Sequence, residues 1–190
     1  MSRTESAMLP LGTPAPGFAL PDVVSGRVIT LKDFADKEVL LAMIICPHCP
    51  YVIHVQEGIA AIGRDYAAKS VGIVAISSND AVAYPSDSPD GMRAQASQLG
   101  FTFPYCYDES QDIARAFNAA CTPEFYVFNR ERKLVYRGQL DDARRHTPVP
   151  VTGRYVRAAI DNTLAGLSVD PDQRPSIGCN IKWKVTVPQA

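Results

Sequence analysis

Cys46 and Cys49 stand three positions apart in the run Cys46-Pro47-His48-Cys49-Pro50, directly after the apolar stretch 39–45. Two thiols at this spacing can close a disulfide on one another, and a thiolate on the first can open a disulfide presented from outside. Apolar residues at Val52, Val55, Ile59 and Ile62 predict a helix from the cysteine pair to about residue 68. The unpaired amides and positive dipole end of such a helix favour a thiolate on Cys46. On this reading Cys46 is the nucleophile and Cys49 resolves the mixed disulfide. Pro47 occupies the first helical position, where a missing N–H costs nothing, and Pro50 removes a hydrogen bond from the first turn. His48, when protonated, adds a positive charge that favours a thiolate and makes the disulfide more oxidising.

Other uses of the same residues fit less well. Attachment of a c-type haem needs histidine directly after the second cysteine, where this chain has Pro50. A zinc site needs a second ligand pair at comparable spacing, and Cys106, Cys121, Cys179, His54 and His146 provide none. Two merely buried thiols are the plain alternative, but a polar, proline-flanked pair following a buried strand speaks for redox use. No metal and no organic cofactor is expected. Cys106, between Tyr105 and Tyr107, reads as core. Cys121 and Cys179 read as packing thiols, although either could reach the pair, and Cys179 could cover the site or bond to Cys121. His54 reads as a partly exposed helix residue, and Arg144-Arg145-His146 as a solvated turn.

The elements that must position the pair follow from pattern. A chain of 190 residues, 46% of them apolar, is long enough for one well-buried core. Residues 1–27 form a lead kept extended by Pro10, Pro14, Pro16 and Pro21. Strands are predicted at 28–31, 39–45, 71–76, 103–107, 125–128 and 134–136, the last two as a hairpin. A helical turn at 32–35, the helix after the cysteines and helices at 91–99, 110–117 and 152–164 alternate with them, with Ser110 as an N-cap. A polar loop occupies 77–90, and a tail from Ser168 carries Trp183. Strands alternating with helices and closing on a hairpin predict an α/β sandwich around a mixed sheet. With 19 basic and 20 acidic residues, nothing invites nucleic acid or an anionic membrane. The start lacks a signal-peptide pattern and no stretch is long enough to span a bilayer, so the chain is expected in the cytoplasm, where thiols stay reduced.

Five runs together resemble the thioredoxin-fold superfamily, in its peroxiredoxin-like branch grouped with alkyl hydroperoxide reductase and thiol-specific antioxidant proteins. They are residues 14–22 (PAPGFALPD), 46–52 (CPHCPYV), 121–123 (CTP), 134–138 (LVYRG) and 175–184 (PSIGCNIKWK). The resemblance covers nearly the whole chain. It implies a single three-layer sandwich with a central mixed sheet, an N-terminal extension and a covering C-terminal tail. It also implies a cis-proline at Pro123 facing the cysteines, with the backbone of Thr122, and Pro47 beside the pair, receiving an extended substrate.

Two departures shape the expected activity. Where peroxiredoxins carry a threonine and a proline ahead of the peroxidatic cysteine this chain has Met43 and Val39, and Glu124-Phe125-Tyr126 lacks their arginine. The buried carboxylate that thioredoxin carries in the strand before its cysteines is missing from 39–45, so Glu124 becomes the candidate general base and His48 the second. The resemblance thus implies a thiol-disulfide oxidoreductase acting on protein or small-molecule disulfides and re-reduced by a cellular dithiol. A thiol peroxidase with antioxidant activity through Cys46, and a redox sensor or binding module without turnover, are the alternatives. Edge strands leave room for a homodimer.

Overall fold

The computed structural model describes residues 3–145 and 147–185. The lead contributes β1 (Arg3–Glu5), β2 (Ala19–Pro21) and β3 (Val28–Thr30), followed by a 3-10 turn at Leu31–Phe34. Next come β4 (Val39–Ile44), α1 (Pro50–Tyr66), β5 (Val71–Ser77), α2 (Pro89–Leu99) and β6 (Tyr105–Tyr107). The second half holds α3 (Asp112–Ala116), β7 (Cys121–Thr122), β8 (Glu124–Phe128), β9 (Leu134–Gly138), α4 (Arg154–Leu164) and β10 (Ile177–Asn180).

Five strands form the central sheet in the order β6-β5-β4-β8-β9. β4 runs parallel to β5 and β5 to β6, while β8 is antiparallel to both β4 and β9. Because side chains alternate across a strand, the unbroken apolar run of β4 feeds both faces. Leu41, Met43, Phe125 and Val127 pack under Ile59, Met92, Val156 and Ile160 of α1, α2 and α4. Leu40, Ala42, Ile44, Tyr126 and Phe128 pack on the other face under Phe18, Phe34, Phe117 and Ile181. This is the thioredoxin-like three-layer sandwich. Among the described residues no helix is long and apolar enough to cross a membrane.

The lead and the tail do more than cover the core. β10 lies between β1 and β7, which sets Cys179 opposite Thr122 and Arg3 opposite Cys179. Gly178 permits that approach, since a Cβ there would stand 1.9 Å from the Thr122 carbonyl oxygen.

Several boundaries differ from those predicted. α1 begins at Pro50 with Cys49 as its N-cap, so Pro47 lies outside the helix and Pro50 costs no hydrogen bond. Of two prolines able to open the helix, the second does so. α3 is capped by Gln111 in a left-handed conformation, and Ser110 instead accepts the Asp112 amide at 3.2 Å. α2 starts at Pro89, because Ser88 accepts the Gly91 amide and caps it. α4 starts at Arg154, after left-handed Gly153.

Candidate functional site

β4 carries the chain out of the core, and residues 46–49 bend into α1 beside Thr122, the last residue of β7. Thr122 is the meeting point. Cys46 Sγ lies 3.5 Å from the Thr122 hydroxyl, and the Cys49 thiol donates to the Thr122 carbonyl at 3.2 Å. The Thr122-Pro123 peptide bond is cis. Cys46 and Cys49 are both unbridged thiols, 1% and 0% exposed.

The two thiols touch each other and titrate as a pair, one keeping its proton so that the other can lose its own. Contact with Cys46, helped by Thr122 and by the Val52 amide in the first turn of α1, overcomes burial and brings the Cys49 thiol down to about 5. Contact with Cys49, burial and the negative charge of Asp87 push the Cys46 thiol well above its ordinary range. Contact between the two sulfurs therefore favours loss of one proton from the pair. Cys49, and not Cys46 as the sequence predicts, stands at the helix N-terminus.

His48 is held by a residue from the loop after β5. Its backbone amide donates to Asp87 Oδ1 at 3.0 Å and its ring Nδ1 pairs closely with Asp87 Oδ2. The same Oδ2 accepts the Asn79 side-chain amide at 2.8 Å, and Tyr84 stacks on the imidazole with centroids 5.3 Å apart. Asp87 is completely buried. With Nδ1 engaged, the proton-accepting position left on the ring is Nε2, which is buried and without a hydrogen-bond partner among the described residues. Asp87, Asn79 and Tyr84 were not singled out from the sequence.

A Cys46 sulfur, a His48 ring nitrogen and an Asp87 oxygen lie within 4.8 Å of one another. A zinc-like ion accepts such a set. Here, however, the Asp87 oxygens are already engaged by His48 and Asn79.

Glu124 goes elsewhere. It accepts the amides of Ala120 at 3.1 Å and Cys121 at 3.4 Å, and burial pushes its carboxyl up to about 7. None of its hydrogen bonds reaches Cys46 or Cys49, so the structure does not place it as the base for the dithiol. The Thr122 backbone is not open either: its edge is taken by Cys179 of β10, so this chain's own tail makes the contact expected of an extended substrate. Pro47 and Pro123 flank the pair, Pro47 half-buried.

Of the other cysteines, Cys106 is core, its thiol pushed up to about 12 chiefly by burial. Cys121 is buried beside Glu124, with its thiol held high by burial and by that carboxylate. Cys179 is more than packing, for its side chain hydrogen-bonds with Cys49. A weak alternation, Ile177, Cys179, Ile181, was the signal for its strand. His54 is half-buried, its Nε2 is buried, and it lines a small cavity together with Tyr51, Pro123, Arg144 and Arg145. His146 is outside the described residues.

Residues 10–153 match the family model described as Redoxin. No curated protein matches the chain. Among solved structures it is similar to an uncharacterized conserved protein from Geobacillus kaustophilus, at 52% identity over 100% of this chain and 99% of that one, with a TM-score of 0.95. A hypothetical protein from Sinorhizobium meliloti is 46% identical over 96% of this chain and 99% of that one, with a TM-score of 0.94. The thioredoxin domain of a thiol-disulfide oxidoreductase from Bacteroides vulgatus shares the fold at 15% identity, covering 78% of this chain and 96% of that one with a TM-score of 0.60.

Proposed function

The chain belongs to the Redoxin family, a thioredoxin-fold family of redox proteins, and from that premise we propose that it is a thiol-disulfide oxidoreductase working through the Cys46 and Cys49 dithiol. The observation that carries this reading is the convergence of both sulfurs on Thr122 beside cis-Pro123, with one thiol of the pair brought down to about 5. A dithiol in which one sulfur eases the loss of the other's proton is suited to exchange.

The one proton that the pair keeps rests on Cys49, which leaves Cys46 as the thiolate. Cys46 then attacks a substrate disulfide: the Cys46 to substrate bond forms and the substrate S–S bond breaks. The Cys49 sulfur displaces the second half of the substrate by attacking Cys46, leaving an internal disulfide. Two electrons pass to the substrate, which departs as two thiols. His48, fixed by Asp87, is the neighbouring group able to give and take the protons of the leaving thiolates. Glu124 has no part in this sequence. Substrates are protein or small-molecule disulfides, and a cellular dithiol restores the reduced form.

A thiol peroxidase needs polar groups to hold its peroxide, and the two positions that would supply them by resemblance are Met43 and Val39, both fully buried. Reduction of insulin by dithiothreitol tests the reading. The wild type is expected to accelerate it, and Cys49→Ser to fall back to the uncatalysed rate. A wild type no faster than dithiothreitol alone contradicts turnover and favours a sensor. Stopped-flow oxidation by hydrogen peroxide much faster than that of an ordinary thiolate would favour the peroxidase.

A further inference from the structure

The exchange just described has no use for Cys179, yet the fold builds a place for it. β10 sets it opposite Thr122, the residue that both Cys46 and Cys49 touch. Its side chain hydrogen-bonds with Cys49, so Cys49 has a sulfur neighbour on each side. The strand is pinned at both ends. The Ser176 amide donates to the Ser6 hydroxyl at 2.9 Å, the Ser176 hydroxyl donates to the Gly138 carbonyl at 2.6 Å, and the Lys182 amide donates to Asn79 Oδ1 at 2.8 Å. Gly178 removes the one side chain that would hold β10 away from Thr122.

The electrostatics around Cys179 change with the state of Cys49. Burial first, then the hydrogen bond with Cys49 and the negative charge there, push the Cys179 thiol up to about 12. The last two influences depend on a charged Cys49 and disappear once Cys49 is bonded to Cys46. Burial stays and still holds the thiol up, but it is then opposed by Lys182, 7% exposed, whose ammonium donates to Asn180 O at 2.7 Å and Oδ1 at 3.0 Å and favours a thiolate on Cys179. Among the described residues no carboxylate pairs with Lys182.

We propose that Cys179 is a second resolving thiol that moves the disulfide from Cys46–Cys49 to Cys49–Cys179, a step that rests on the oxidoreductase reading. The Cys179 thiolate attacks the Cys49 sulfur of the oxidised pair. The Cys49 to Cys179 bond forms, the Cys46 to Cys49 bond breaks, and Cys46 leaves as a thiolate that takes up the proton Cys179 gave away. No electron enters or leaves, so the step needs no further oxidant. Its effect is to return Cys46 to the thiol state while the oxidising equivalents are held behind it.

Peptide mapping after oxidation tests this. Wild-type protein is oxidised with one equivalent of glutathione disulfide, quenched with an alkylating agent, digested and analysed by mass spectrometry. Cys49–Cys179 is expected in at least about a tenth of the oxidised molecules, within a tenfold equilibrium ratio of Cys46–Cys49. In Cys46→Ser it becomes the main internal disulfide, and in Cys179→Ser it is absent. Finding Cys46–Cys49 alone in the wild type, or no Cys49–Cys179 in Cys46→Ser, overturns the proposal and leaves the oxidoreductase reading standing. A wild type in which neither Cys46 nor Cys49 enters a disulfide overturns both.

Discussion

Asp87 and Glu124 offer a controlled comparison within one molecule. Both are carboxylates buried to within 1% of complete, and each has a cysteine for a neighbour, Cys46 for Asp87 and Cys121 for Glu124. Asp87 is engaged by a backbone amide, a side-chain amide and an imidazole, whereas Glu124 has two backbone amides, the Tyr126 side chain and the Cys121 thiol, with no imidazole among its hydrogen-bond partners. Burial of a carboxylate beside a sulfur is thus not enough to make a redox site. What separates the two is the histidine that Asp87 holds beside Cys46, and their place in the fold, Asp87 in the loop after β5 and Glu124 on β8.

The largest test of that difference is Asp87→Ala, which strips the acceptor from the His48 amide, the His48 ring and Asn79. A loss of about 3 kcal/mol in urea unfolding is expected for uncompensated buried partners. The Cys46 and Cys49 couple should also become more oxidising, because the negative charge that disfavours a Cys46 thiolate has gone. A loss below ~1 kcal/mol would mean that the loop after β5 does not hold His48.

Glu124→Gln should act on stability and not on exchange. The folded carboxyl titrates at about 7 against an ordinary 4.5, so between those values the folded chain keeps a proton that the unfolded chain has released. Its contribution is complete below pH 4.5 and is lost as pH rises through about 7, a swing on the order of 3 kcal/mol. The glutamine variant should lose that slope while insulin reduction stays within about twofold of wild type. A large drop in turnover would return Glu124 to the dithiol.

His48→Gly should have the smallest effect and the opposite sign to Asp87→Ala. Without the imidazole, Cys46 faces the Asp87 charge directly, its thiolate is disfavoured, and the couple becomes more reducing by about 30 mV in a glutathione titration. An unchanged potential would separate His48 from the sulfurs.

How far the sequence discloses this arrangement depends on the range of the interactions. β4, β5 and the β8 and β9 hairpin are legible because unbroken apolar runs of strand length have one economical use, and α1 because its apolar residues recur at helical spacing. The start of α1 is not legible, since Pro47 and Pro50 both suit a first helical turn and the choice between them is tertiary. Glu124 invites the role of base by standing next to Pro123. The pleat then turns it to the side opposite Phe125, whose face carries Cys46 and Cys49. Asp87 and Asn79 lie in a polar loop without periodicity, and the meeting of Asp87 with His48 spans 39 residues. Cys179 sits in a short strand whose partners, β1 and β7, are themselves only three and two residues long, too short to announce themselves.

The claim that Cys46 is the attacking sulfur is tested most directly by trapping its mixed disulfide. Cys49→Ser, incubated with one equivalent of glutathione disulfide at pH 7, is expected to gain a single glutathione that maps to Cys46 and persists because the resolving thiol has been removed. An adduct confined to Cys121 or Cys179, or no adduct at all, would contradict it.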